Sequence, residues 1–126
     1  MRGLWLGVLL ALSAAACGHR QETALLDQFF SASRLRDRTA AQSVATVFFD
    51  PADQGLVRQF TVRTVTPEER HGDVTTKSVT VGATVESPDG RRAEQTIFVT
   101  MERRRNAGWM ITGMAVSAPG PARPPR

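Results

Sequence analysis

The tightest constraint on this chain is a parity condition around Ser87-Pro88-Asp89-Gly90-Arg91. Before it, Val79, Val81, Ala83 and Val85 alternate with Ser78, Thr80, Gly82 and Thr84; after it, Ala93, Ile97, Val99 and Met101 fall on one face. A period of two is the pattern of a half-buried antiparallel strand. Pro88 presets the first central angle of a type I turn, Asp89 tolerates the second, and Gly90 accepts the left-handed angle that closes a three-residue hairpin loop. With Ser87 facing Arg91, Val85 meets Ala93, Val81 meets Ile97 and Val79 meets Val99. A two-residue loop would set Val81 against Thr96 and send the core face of the second strand to solvent. Turn chemistry and hydrophobic parity therefore choose the same register.

The same reading extends both ways. From Leu56 onward Phe60 and Val62 alternate with Thr61 and Arg63, and Trp109, Ile111 and Ala115 share one face of a last strand. Asn106-Ala107-Gly108 offers another odd loop between Arg105 and Trp109, and Pro67 to Asp73 is a polar connection between the first two strands. Upstream the period changes. Leu25, Leu26, Phe29 and Phe30, then Ala40, Ala41, Val44, Ala45 and Phe48, carry helical spacing, predicting helices over about 23–35 and 38–48. Asp37 is placed to cap the second helix, Asp50-Pro51 to stop it, and Asp53-Gln54-Gly55 reads as loop. The expected fold is α+β: two N-terminal helices packed on one face of a four-stranded antiparallel meander, over residues 23–116. Residues 117–126 hold four prolines in ten positions and read as a disordered tail.

Residues 1–16 have the order of an export signal: Met1-Arg2, the apolar run Gly3 to Leu12, then Ser13, Ala14, Ala15 and Ala16. The run up to Cys17 is shorter than the roughly 20 residues that span hydrocarbon. Cys17 is the single cysteine, so no internal disulfide supports the fold. Ala14-Ala15-Ala16-Cys17 resembles the lipobox of bacterial lipoproteins, with Ala14 where that family favours leucine. The resemblance implies that the Cys17 thiol is acylated, that the signal is cut just before it, and that residues 17–22 tether the domain to a membrane. Gly18 stands where an aspartate would mark inner-membrane retention, which implies the periplasmic face of the outer membrane in a Gram-negative host.

A second resemblance rests on the Phe29-Phe30 helix, the Arg36-Asp37 break and the ending Gly108-Trp109-Met110-Ile111-Thr112. This order is similar to the cystatin-like and NTF2-like superfold, in which a bent sheet wraps a helix into a cone. The third helix of full-length members is either missing here or reduced to Pro67-Glu68-Glu69-Arg70.

The residues carry little chemistry beyond this. The formal charge is +4, or +3 once Arg2 leaves with the signal, too small to argue for nucleic acid. Of sixteen basic residues only Lys77 is a lysine, a usage we read as genomic bias. Arg103-Arg104-Arg105 and Arg91-Arg92 fall at opposite ends of the sheet; the triple run is a candidate contact for lipid headgroups. There is no tyrosine. His71, in His71-Gly72-Asp73, is a candidate base or ligand on a solvated turn. Arg58 and Gln95 fall on inward faces, where a guanidinium or amide needs partners; with Trp109 as a stacking surface, they are the candidate ligand pocket. Neither a catalytic set nor a spacing for a metal or cofactor is predicted. The expected function is a non-enzymatic envelope lipoprotein, anchored to the membrane at Cys17, serving as a binding or accessory module for an envelope protein or small apolar ligand. An isomerase- or dehydratase-type enzyme is the alternative; it requires a cavity lined by Gln95, Arg58 or His71. A structural spacer is the third reading.

Overall fold

A computed structural model describes residues 19–117. The export signal, Cys17 and all of the proline-rich tail beyond Ser117 lie outside the described residues. Helix α1 spans Arg20–Arg34 and buries Glu22, Leu26, Phe29, Phe30, Ala32 and Ser33, an amphipathic stripe that begins earlier than the apolar periodicity alone indicates. Leu35 ends it with its side chain exposed, and Arg36 takes a left-handed φ of 54°. The Asp37 carboxylate then accepts from the Ala40 N–H at 3.0 Å, the expected cap of helix α2, Arg38–Gln42.

Helix α2 is far shorter than 38–48. Beyond Ser43 the chain extends, and Val44 and Thr46 bracket Ile111: the Ile111 N–H donates to the Val44 carbonyl and the Thr46 N–H to the Ile111 carbonyl, both at 2.9 Å. Val44, Thr46 and Val47 are β-branched and give up little by leaving the helix, while the edge of the last strand offers backbone partners. Phe49 is consequently the buried aromatic, at 1% exposure, and Phe48 is only partly buried, with the Arg38 guanidinium 4.6 Å from its ring centroid. Asp50-Pro51 does not merely stop a helix. Asp50 accepts from the Ala52 N–H at 2.9 Å and Pro51 opens a one-turn helix α3, Pro51–Gln54, so Asp53 and Gln54 are helical rather than loop. Its missing N–H and fixed φ suit that first position. Gly55 ends it at φ 88° and ψ −174°.

Five strands follow: β1 (Leu56–Val65), β2 (Glu69–His71), β3 (Val74–Glu86), β4 (Arg92–Arg104) and β5 (Trp109–Val116). The long strands form an antiparallel meander in the order β1-β3-β4-β5, and β2 pairs with β3 as well. The connection Pro67–Asp73 therefore contains a short strand. The central register is the expected one: Val85 opposite Ala93, Val81 opposite Ile97, Val79 opposite Val99. The Ser87 N–H donates to the Arg91 carbonyl and the Gly90 N–H to the Ser87 carbonyl, each at 2.8 Å, with Gly90 at φ 89°. Ala93, at the far end of the pairing, is exposed despite its parity.

Three bulges alter the simple alternation. On β1, register shifts leave Arg58 and Arg63 without partners on β3, while Val57, Phe60, Val62 and Val65 keep to one face, opposite Val85, Ala83, Val81 and Val79. On β5, Ile111 faces Met101 but Gly113 faces Thr100, leaving Thr112 over. Past that point Met114 and Val116 take the inward places, and Ala115, expected in the core, is exposed opposite Phe98. The β4–β5 loop closes on Arg103 and Trp109 instead of Arg105 and Trp109; it remains odd, so the core faces still coincide. Ser117 continues the pairing with an N–H bond to the Thr96 carbonyl at 2.9 Å, and is not part of a tail.

The core lies between the helices and one sheet face. Phe29 and Phe30 are 0% and 1% exposed. Phe30 meets Phe29 and Phe49 edge-on at 5.5 and 5.9 Å and Phe60 at 5.3 Å. The Ser33 hydroxyl donates to the Phe49 carbonyl, tying α1 to the segment that crosses to α3. On the opposite sheet face Phe98 is 51% exposed. No helix among the described residues is long and apolar enough to cross a membrane.

Candidate functional site

The three residues proposed as a pocket do not come together. Trp109 faces Arg103, whose other neighbour is Thr75 near the start of β3. Arg58 sits beside the pairing of Val57 with Val85, ten residues further along β3, roughly 33 Å at strand spacing. Parity had turned Arg58 inward; the bulge releases it instead to the surface, where its Nε donates to Glu86 Oε2 at 2.6 Å. Gln95 stays on the inward face opposite Ala83 and is half-buried. Trp109 is buried at 8% exposure. His71, expected on a turn, is instead the last residue of β2, paired with Val74 and exposed, its Nε2 3.4 Å from Glu69 Oε2. Among the described residues no three His, Cys, Asp or Glu side chains group as metal ligands.

What assembles instead is a polar cluster at the Trp109 end. Lys77 extends the inward series Val79, Val81, Ala83 and Val85 by one step and faces Met101. Its side chain is 3% exposed and that of Glu22, in the first turn of α1, is 6% exposed. Lys77 Nζ donates to Glu22 Oε1 at 2.7 Å and lies 3.9 Å from the Trp109 ring centroid. The ammonium thus has a carboxylate and a π face, the combination that makes a buried cation tolerable. Glu22 Oε2 is buried with no hydrogen-bond partner. Burial pushes the Glu22 carboxyl up, but the Lys77 hydrogen bond, its own backbone N–H and the Lys77 charge outweigh it, and the group is held below its ordinary value. A lysine locked in this way is a fastener between α1 and the sheet, not a nucleophile.

Arg103, on the same face as Met101, brings its guanidinium carbon to 4.8 Å from the Trp109 centroid. From there the surface opens into a hollow of about 340 Å³ between β2 and the β4–β5 loop, lined by Glu68, Arg70, Asp73, Arg103, Arg104 and Arg105 among others. Two loose exposed pairs cross it: Arg103 to Glu68 at 3.4 Å and Arg105 to Asp73 at 3.9 Å. Four guanidiniums against two carboxylates leave the lining with a positive balance. A neighbouring hollow of about 330 Å³ shares Arg104 and is lined also by Thr46 and Met110.

Sequence reasoning passed over both halves of the buried pair. Lys77 was visible as the only lysine and as the continuation of an inward alternation. Glu22 stands four residues before Leu26 and seven before Phe29, on the same helical stripe. Compared with known proteins, the chain matches no family model, no curated protein and no solved structure.

Proposed function

We propose that this chain is a lipid-anchored protein of the bacterial envelope, built on a cystatin-like or NTF2-like domain and acting as a non-enzymatic binding or accessory module. The observation that carries the reading is Cys17, the only cysteine, placed at the end of an apolar, small-residue run that resembles a lipobox. Acylation there stabilises membrane attachment by about 0.8 kcal/mol per buried methylene. Gly18 favours the periplasmic face of the outer membrane where the host has two membranes. The order of two helices and then a long antiparallel meander, ending on Gly108-Trp109-Met110-Ile111, supports the fold assignment. The non-enzymatic reading is supported by the commitment of Glu22 and Lys77 to each other and by the separation of Arg58 and Trp109 to opposite ends of the sheet.

Expression of the full chain in a bacterial host tests this. The wild-type protein is expected in the detergent phase with membranes, with acyl mass on its N-terminal peptide beginning at Cys17. Cys17→Ser is expected to give a soluble or unprocessed product. Wild-type protein recovered free and unacylated would defeat the reading.

A further inference from the structure

The position of α1 decides which end of the domain faces whatever its N-terminus is attached to. Glu22, in its first turn, bonds Lys77 at 2.7 Å beside Trp109, and Arg34, in its last, donates from Nη1 to the Val57 carbonyl at 2.9 Å at the other end of the sheet. The first turn of α1 therefore lies at the Trp109 end of the sheet and its last turn at the other. Cys17 is two residues ahead of His19, a reach of at most about 7 Å. The arginine-rich hollow lies at that same end, with Arg103 within 4.8 Å of the Trp109 ring centre. Within the hollow Glu68 and Asp73 each hold one arginine loosely, while Arg70 and Arg104 have no ion-pair partner among the described residues. Arg91 and Arg92 sit at the opposite end, opposite Glu86 and the start of β4, twelve β3 residues away from Val74, or roughly 40 Å. That is several Debye lengths at physiological salt.

We propose that the hollow formed by Arg70, Arg103, Arg104 and Arg105 is a docking surface for anionic phospholipid headgroups, which seats the domain on the bilayer with its Trp109 end down. The inference deepens the lipid-anchor reading and rests on it for the identity of the membrane. The geometry fits a bilayer because guanidiniums bind phosphate oxygens bidentately and because the hollow lies at the same end of the sheet as the first turn of α1, the described element nearest to Cys17 in sequence.

The test uses the chain from Cys17 to Arg126 with Cys17→Ser, which keeps every described residue and carries no acyl group. It is sedimented with vesicles of equal parts phosphatidylglycerol and phosphatidylcholine, and with vesicles of phosphatidylcholine alone. Binding is expected to the mixed vesicles only, and to weaken as salt is raised. Each arginine near an anionic surface contributes about fivefold in partition, so Arg70→Gln/Arg104→Gln is expected to lower it about 25-fold. Arg91→Gln/Arg92→Gln removes the same charge and is expected to leave partition unchanged. Fluorescence of Trp109, the single tryptophan of this form, checks that both variants are folded. Failure to bind the mixed vesicles, or equal loss in the two double variants, overturns the proposal. Acylation of Cys17 in cells is read separately: its absence with the vesicle result intact sinks the anchor alone, and its presence with the vesicle result lost sinks the docking surface alone.

Discussion

Lys77→Met isolates the energetics of the buried pair. Methionine preserves length and a favourable contact with the Trp109 ring, so the main change is the loss of charge. Glu22 then keeps a carboxylate whose Oε2 already lacks a partner and whose Oε1 has lost the Lys77 ammonium. Breaking a buried pair in this way costs about 3–5 kcal/mol. With a urea dependence of about 2 kcal/mol per M, the unfolding midpoint is expected to fall by about 2 M. Glu22→Leu/Lys77→Met removes both desolvation penalties and is expected to unfold near the wild-type midpoint or above it. The pH dependence has a defined sign. In the wild type the Glu22 value is lowered, so the pair's contribution is complete above the unfolded value and is lost as pH falls through the folded one. In Lys77→Met burial is no longer opposed by the Lys77 hydrogen bond and charge, the Glu22 value is expected to rise, and the variant is expected to lose stability as pH rises. The gap between the two proteins is expected to be widest near neutrality and to narrow towards acid. A Lys77→Met protein as stable as wild type at neutral pH, or a double variant as unstable as the single one, would refute the reasoning.

Other substitutions test the rest of the architecture by urea or thermal unfolding. Phe30→Ala removes a ring in contact with Phe29, Phe49 and Phe60 and is expected to cost about 3–5 kcal/mol, much of a small domain's stability; a wild-type melt would show that α1 does not cover the sheet. Gly55→Ala is expected to be far worse than Gly90→Ala. Gly55 occupies a region of φ and ψ almost confined to glycine, and a Cβ there would stand 2.6 Å from the Glu86 carbonyl oxygen. Gly90 has open space around it and carries only the left-handed cost of about 1–2 kcal/mol; equal losses would refute the steric account. Arg58→Ala breaks a surface pair with Glu86 and is expected to cost less than about 1 kcal/mol; a larger loss would mean that Arg58 reaches the core after all.

The hairpin between β3 and β4 was legible because two independent signals, turn chemistry and parity, act within a few residues of each other. The flanking strands were less so. A bulge inserts one residue without a sequence mark of its own, and each one inverts the parity beyond it. That is why strict alternation turns Arg58 inward and puts Ala115 on the core face, where the structure has Met114 and Val116. Arg58 and Arg63 do carry a signal in retrospect. A charged residue that breaks an apolar alternation, with the alternation resuming one step out of phase, is what a bulge looks like in sequence. The shortened α2 has a different cause. Its helical spacing over Ala40 to Ala45 is real, but a partner 66 residues later in the chain, Ile111, draws Val44 to Thr46 into extended pairing. Local periodicity cannot weigh a competitor so far away.

The polar cluster was hidden for the same reason. Lys77 stands out in the sequence only as the single lysine, and Glu22 as the last residue of the tether. Each is on the correct face by periodicity, yet only the crossing of α1 over the sheet brings them together, across a sequence separation of 55 residues. Their union has a consequence for orientation. An all-apolar seam between α1 and β3 would set the position of the helix along the sheet by side-chain shape alone. A carboxylate in the first turn and an ammonium at one end of the strand allow one placement, because any slide leaves two buried charges unpaired. Glu22 and Lys77 thereby fix the N-terminus of the helix beside Trp109, and with it the end of the domain that carries Arg70 and Arg103 to Arg105.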